Sequence, residues 1–165
     1  MTFNQFIAIL WYTLKHKYFV TVECFKRGLY FRGIKHDIDK FGPSMLKAYG
    51  LFFHNADGSR KQIRNKTGYY KPEDTGSPLF DRAWFKHTRR NDHHWQYWAL
   101  STSEGEKILK MDCDAALEMY CDWIGAGKAQ GTPNTIAWYE MNKDKLKLDT
   151  ETRKYIEALV YGDFE

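Results

Sequence analysis

The sequence is poor in cysteine, poor in proline and free of long apolar runs. Its three cysteines, Cys24, Cys113 and Cys121, form no CxxC pair. An odd and sparse set excludes a complete disulfide framework and fits reduced, mostly buried thiols in a reducing compartment. The apolar run from Phe6 to Tyr12 is too short to span a bilayer, and Lys15, His16 and Lys17 follow at once. No basic region precedes it and no small-residue cleavage site follows it, so neither a signal peptide nor a membrane segment is expected. A cytoplasmic location follows by default. The net charge of +4 mildly favours anionic ligands and is too small for a protein that coats duplex nucleic acid. Internal repeats and low-complexity segments are absent as well. A length of 165 residues therefore predicts one domain, 1–165, able to bury a substantial core.

What the sequence has in excess is aromatic surface. Phe, Trp and Tyr make up 17% of the chain, suited to a tight core or to stacking on flat ligands. Apolar spacing near 3.6 predicts a long helix from residue 3 to about 30, capped by Thr2 or Asn4 and ended near Gly28. A short helix over Ile34 to Phe41 is expected next, and then a third opened by Pro43. Helical patterns return from Phe80 through His87, from 112 to 128, from Thr132-Pro133 through Met141, and from Thr150 onward. The 112–128 segment is apolar almost all round, which marks a central, buried helix. Residues 101–110 read as a turn-rich connection. With the strand signal weak everywhere, the expected class is all-α, a compact multi-helix bundle.

Residues 54–78 break that pattern. They carry Gly, Pro, Asp and Asn without apolar period and read as a long polar loop or small hairpin, with Asp57-Gly58 as a plausible turn. A loop of this length is uncommon without a job or disorder, and a solvated insertion is the plainer reading. Arg60, Lys61, Arg64, Lys66 and Lys71, with Tyr69 and Tyr70, suit a basic lid over an anionic substrate. His54, in this polar stretch, is expected to play no part.

The chemistry resides in histidines and carboxylates. His16, His36, His87, His93 and His94 each lie beside aromatic or apolar residues. Buried imidazole and carboxylate are costly unless paired or metal-bound, and together they suit Zn, Fe, Mn or Co. His36-Asp37 are adjacent, and Lys40 lies three residues on, placed to pair with Asp37 or to reach a ligand phosphate. Glu23 shares the helix face of His16 and is a candidate to support it. On a regular element His93 and His94 cannot both face one site: an unbroken helix favours His94, and a break at Asn91-Asp92 frees His93. Asp122, on the apolar helix, needs a cation or hydrogen bonds, and Asp114 and Glu118 compete with it on the same helix. Gly125-Ala126-Gly127-Lys128 lacks the spacing of a phosphate-binding loop and reads as a helix end. Arg89, Arg90, Lys86 and Lys128 are candidate phosphate contacts. Asn134, Trp138 and Tyr139 are candidates for a base pocket.

The string His36-Asp37-Ile38-Asp39-Lys40-Phe41 resembles the His-Asp-Ile-Gly-Lys signature of the HD-domain metal phosphohydrolases, with Asp39 where that superfamily usually has Gly. The resemblance implies a helical HD-like domain and a ligand order of early His, His-Asp pair and distant Asp. His16, His36, Asp37 and Asp122 match that order. His87, with His93 or His94, matches the extra histidines of two-metal members. The whole chain, including His87-Thr88-Arg89-Arg90-Asn91-Asp92-His93-His94-Trp95, also resembles a family of small proteins of phages and Gram-positive bacteria. That resemblance brings no activity with it; a phage-encoded copy would work in the host cytoplasm.

The expected function is metal-dependent hydrolysis of a phosphoester in a nucleotide or other phosphorylated small molecule. One or two divalent ions (Mn, Fe, Zn, Co or Mg) would be held by His16, His36, Asp37, His87, Asp122 and one of His93 and His94. Asp37 and Lys40 are the expected catalytic pair. Lys40, Arg89, Arg90 and Lys128 are the expected substrate cations. Two rivals remain open: an HD-type di-iron oxygenase, and a non-catalytic binding protein of phage origin stabilised by a closed metal site. The sequence does not indicate an oligomeric state.

Overall fold

The computed structural model describes residues 1–63 and 75–162. Seven α-helices dominate them: α1 (Phe3–Lys26), α2 (Tyr30–Lys35), α3 (Pro43–Phe53), α4 (Pro78–Arg90), α5 (Cys113–Gln130), α6 (Thr135–Asn142) and α7 (Thr150–Gly162). The class is all-α. The expected lid residues Arg64, Lys66, Tyr69, Tyr70 and Lys71 lie outside the described residues.

Local chemistry sets most boundaries. Thr2 caps α1 in a reciprocal box, its hydroxyl accepting from Gln5 N and its amide donating to the Gln5 side chain. The helix stops at Gly28, whose φ of 78° suits glycine. Pro43 opens α3 from the first turn. On the N-terminal flank of the long loop, Asp57-Gly58 forms the expected turn and His54 bridges to Arg60. Residues 99–108 correct the sequence reading. Ala99–Thr102 and Gly105–Ile108 pair as a small antiparallel hairpin, turning at Gly105 with φ 134°. Its strands are almost wholly exposed, so they carry no apolar alternation for a sequence reading to detect.

Helix α5 is central. It packs most extensively on α1 and also meets α6 and α7. Ala115, Met119, Tyr139 and Ile156 form one core; Ile9, Tyr49, Phe53 and Phe80 form a second beneath α1, α3 and α4. Gly125 lies within α5 rather than ending it. A Cβ there would meet Val20 Cγ2 at 2.4 Å, so the glycine permits the close α1–α5 crossing. Gly131, with φ 78°, ends the helix instead. No helix among the described residues is long and apolar enough to cross a membrane.

A candidate two-metal centre

The expected helix over residues 34–41 does not form, and its failure builds the site. α2 ends at Lys35, and Asp37 takes a left-handed conformation with φ 53°, the one non-glycine residue to do so among those described. Asp tolerates this region better than most side chains, but the conformation costs about 1–2 kcal/mol. A four-residue 3-10 turn, Ile38–Phe41, follows. The carbonyls of Gly33, Ile34 and His36, freed by the break, accept from Lys17 Nζ at 2.9, 2.5 and 2.6 Å. The kink drives His36 and Asp37 inward together, and both are essentially inaccessible to solvent.

Five elements converge on Asp37, and its two oxygens face different partners. Oδ2 lies 3.2 Å from His16 Nε2 of α1 and 3.3 Å from His36 Nε2. Oδ1 lies 3.2 Å from His87 Nε2 of α4 and 3.4 Å from His93 Nε2. Asp122, from α5, closes the first side with Oδ1 at 3.1 Å from His16 and 3.6 Å from His36. His94 closes the second, its Nε2 at 2.8 Å from His87 Nε2. Two donor groups result: His16, His36, Asp37 and Asp122, and Asp37, His87, His93 and His94. Within each the donor atoms lie no more than 4.8 Å apart. Donor atoms that close can converge on a shared ion.

Every metal ligand expected from the sequence is therefore brought together. One expectation is corrected: His93 and His94 both face the centre. α4 ends at Arg90, and the segment from Asn91 to His94 is a turn, so the one-face limit of a regular element does not apply. Asp122 of α5 meets His16 and His36 at Nε2; Glu118, one turn earlier and more deeply buried, stands behind the histidines.

The supporting layer was only partly visible in the sequence. Glu118 Oε1 accepts from His36 Nδ1 at 2.8 Å and from His93 Nδ1 at 3.1 Å. Asp39 accepts from His87 Nδ1 at 2.9 Å, and Asn91 Nδ2 donates to it at 3.2 Å. A carboxylate only accepts, so three imidazoles carry a proton on Nδ1 and present Nε2 toward Asp37, the nitrogen left to bind an ion. Arg32 bridges Glu118 at 2.6 Å and Asp92 at 2.5 Å, locking α2 to α5 and to the turn before His93. Glu118 and Asp122 are four residues apart on one face of α5, the signal that could have paired them in these two roles.

The electrostatics favour a cation. Burial pushes the Asp37 carboxyl up, but His36, Lys40 and His87 outweigh it and hold it well below the usual carboxylate range. Asp122 behaves alike under the influence of His16 and His36. Glu118, also opposed by burial, is drawn down to about 2 by His36 and His93. Burial lowers His94, and the neighbouring His93 and His87 add to it, so it stays neutral and able to ligate. Asp37, Asp39, Glu118 and Asp122 are thus four anions, contacted by Lys40 on Asp37 at 2.5 Å and by an arginine that Asp92 shares. The remaining negative charge needs protonated imidazole or a divalent ion. Asp37 Oδ1 and His93 Nε2 are buried and neither makes a hydrogen bond, although they face each other. Buried polar atoms seldom go unpaired, and these two are what a coordinated ion would satisfy. These buried His and Asp groups could hold metal.

A cavity of about 200 Å³ opens beside the centre, reaching it at His16, Asp122 and His94. Its far wall is aromatic, with Trp123 and Trp138, and its polar contacts include Lys40, Arg60 and Asn134. Arg60 lies over the Tyr12 ring, which stacks on His16. Three expected substrate cations are absent from this cavity. Arg89 donates to the hairpin carbonyl of Ala99 at 3.0 Å, Arg90 is exposed on the last turn of α4, and Lys128 is bound to Glu23 at 2.6 Å. Glu23 accordingly supports no metal ligand; it is held by Lys26, Arg27 and Lys128. His54 is buried at the cavity wall with Nδ1 unpartnered, not a solvated loop residue. Tyr139 belongs to the core, whereas Asn134 and Trp138 do line the cavity.

No curated protein and no solved structure matches the chain. Residues 6–161, a span that contains every donor described above, match a family of unknown function (DUF5662), and the chain belongs to that family.

Proposed function

We propose that the protein is a metal-dependent phosphohydrolase of the HD type, acting on a nucleotide or nucleotide-like phosphoester. The observation that carries this reading is the division of Asp37, with one carboxylate oxygen toward His16 and His36 and the other toward His87 and His93. A carboxylate so placed could serve an ion on each side. Such ions supply nucleophilic water near neutral pH and neutralise charge on phosphoryl oxygens. His16, His36 and Asp122 would hold one ion, His87, His93 and His94 the other, and Asp37 both.

The remaining work falls to the chain. Glu118 and Asp39 keep three imidazoles aimed at the centre. Lys40 and Arg60, both at the cavity, attract the phosphoryl group and offset charge that develops on it. Trp123 and Trp138 offer flat faces for the rest of the substrate.

The test is metal analysis of the purified protein, then reconstitution with Mn, Fe, Co, Zn or Mg and a screen of nucleotides for phosphate release. Up to two ions per chain and metal-dependent release are expected. Oxygen uptake by an iron-loaded sample with no phosphate release would replace this reading with the oxygenase. Full metal occupancy without turnover of any substrate would leave a structural centre.

A further inference from the structure

Helix α1 buries one side and leaves a second, apolar side exposed. Its buried side carries Ile9, His16 and Val20 against α3 and α5. Its outer side carries Phe3, Ile7, Trp11, Leu14, Tyr18 and Phe25, all exposed. Phe3 is 75% exposed, Trp11 68% and Tyr18 64%. At about 100° per residue these six fall within about 80° of arc, opposite the buried face. Their spacing is 4, 4, 3, 4 and 7, the repeat of a helix–helix seam. The patch continues onto α2, where the Tyr30 ring lies 5.3 Å from that of Phe25 and Phe31 is 83% exposed.

From these exposures the six α1 residues offer roughly 700 Å², above the largest apolar patch of an ordinary monomer, about 300–600 Å². With the Tyr30 ring beside Phe25 the surface reaches one partner's share, about 800 Å², of a standard interface. The stripe is narrow. A helix that floats in a lipid interface presents a broad apolar face, whereas a seam between two helices needs only such a line of residues. A stripe repeated on each copy is self-complementary about a two-fold axis.

We infer that the outer face of α1 is a homodimer seam: a second copy of this chain packs its own Phe3-to-Phe25 stripe against it, helix on helix. The contact braces α1 from outside while its inner face presents His16 to the centre.

Sedimentation velocity of the full chain across a dilution series tests this. Wild type should sediment as a dimer at micromolar concentration. Trp11→Glu with Tyr18→Glu should weaken association at least tenfold while leaving helical circular dichroism and metal content unchanged. Both substitutions sit on exposed positions, and a single Leu14→Lys variant provides a second disruption if the double variant misfolds. A wild type that stays monomeric at tens of micromolar overturns the inference, whether or not it binds vesicles of anionic phospholipid. So does a dimer that survives these substitutions.

Discussion

Glu118 Oε1 accepts the Nδ1 proton of His36 at 2.8 Å, fixing the tautomer of an imidazole whose other nitrogen faces Asp37. The same oxygen holds His93, so one carboxylate orients a donor in each of the two groups. Glu118→Gln should therefore weaken both at once, by about 10–100-fold in metal affinity, with the helical fold kept. Titration with a metal-sensitive dye checks this. An unchanged affinity would mean that packing alone orients the two rings.

Asp37 is the residue shared by both groups. Asp37→Asn should lower metal occupancy on both sides and abolish phosphate release. His87→Ala and Asp122→Ala should each lower one side more than the other. Metal stoichiometry measured by mass spectrometry separates these outcomes. An Asp37→Asn protein that keeps two tightly held ions would remove Asp37 from the centre and sink the hydrolase reading.

The cavity cations differ in role from those outside it. Arg60→Ala should raise KM for a phosphorylated substrate about tenfold or more, with metal content unaltered. Lys128→Ala and Arg89→Ala should leave KM unchanged, since those side chains are spent on Glu23 and on the Ala99 carbonyl. Steady-state kinetics on metal-loaded enzyme decides.

Glu23 makes stability depend on acid. Its burial raises the carboxyl pKa, but Lys128, Lys26 and Arg27 outweigh this and bring it down to about 2. A depressed folded value means the contribution is complete above the unfolded value, about 4.5, and is lost as pH falls from there through about 2. Glu23→Gln should cost about 1–3 kcal/mol at pH 7 and flatten the acid limb of the stability curve. Urea melts at pH 7, 4 and 2.5 measure both effects. Equal losses at every pH would show that the charge is immaterial.

The α1–α5 crossing depends on a missing side chain. Gly125→Ala puts a Cβ 2.4 Å from Val20 Cγ2 and 2.8 Å from the Val20 backbone nitrogen. The helices must separate, at a cost of about 1–3 kcal/mol. Asp122 lies one turn from Gly125 and should move away from His16, so metal affinity should fall with the melting temperature. Intact metal binding in a destabilised variant would uncouple the crossing from the centre.

Much of this protein is legible in the order of its residues. Apolar period predicted the helical class, and Pro43, Thr2 and Gly28 marked boundaries because caps and breakers act over a few residues. The candidate donors stood out because imidazoles and carboxylates set among aromatic residues are costly without a cation. The tertiary structure alone decided how they meet. Asp37 leaves the expected helix for a left-handed conformation, held by Lys17 reaching from α1 to carbonyls 16, 17 and 19 residues away, contacts that periodicity does not encode. His93 and His94 converge because their segment is a turn, and Glu118 rather than Asp122 stands behind the rings because of how α5 is rotated where it packs on α1. Lys128 and Arg89 have the same local appearance as Lys40 and Arg60. What separates them is the partner each meets across the fold: a long, flexible cation pairs with whatever anion, carbonyl or ring packing brings within reach, and that neighbour is not written in its own stretch of sequence.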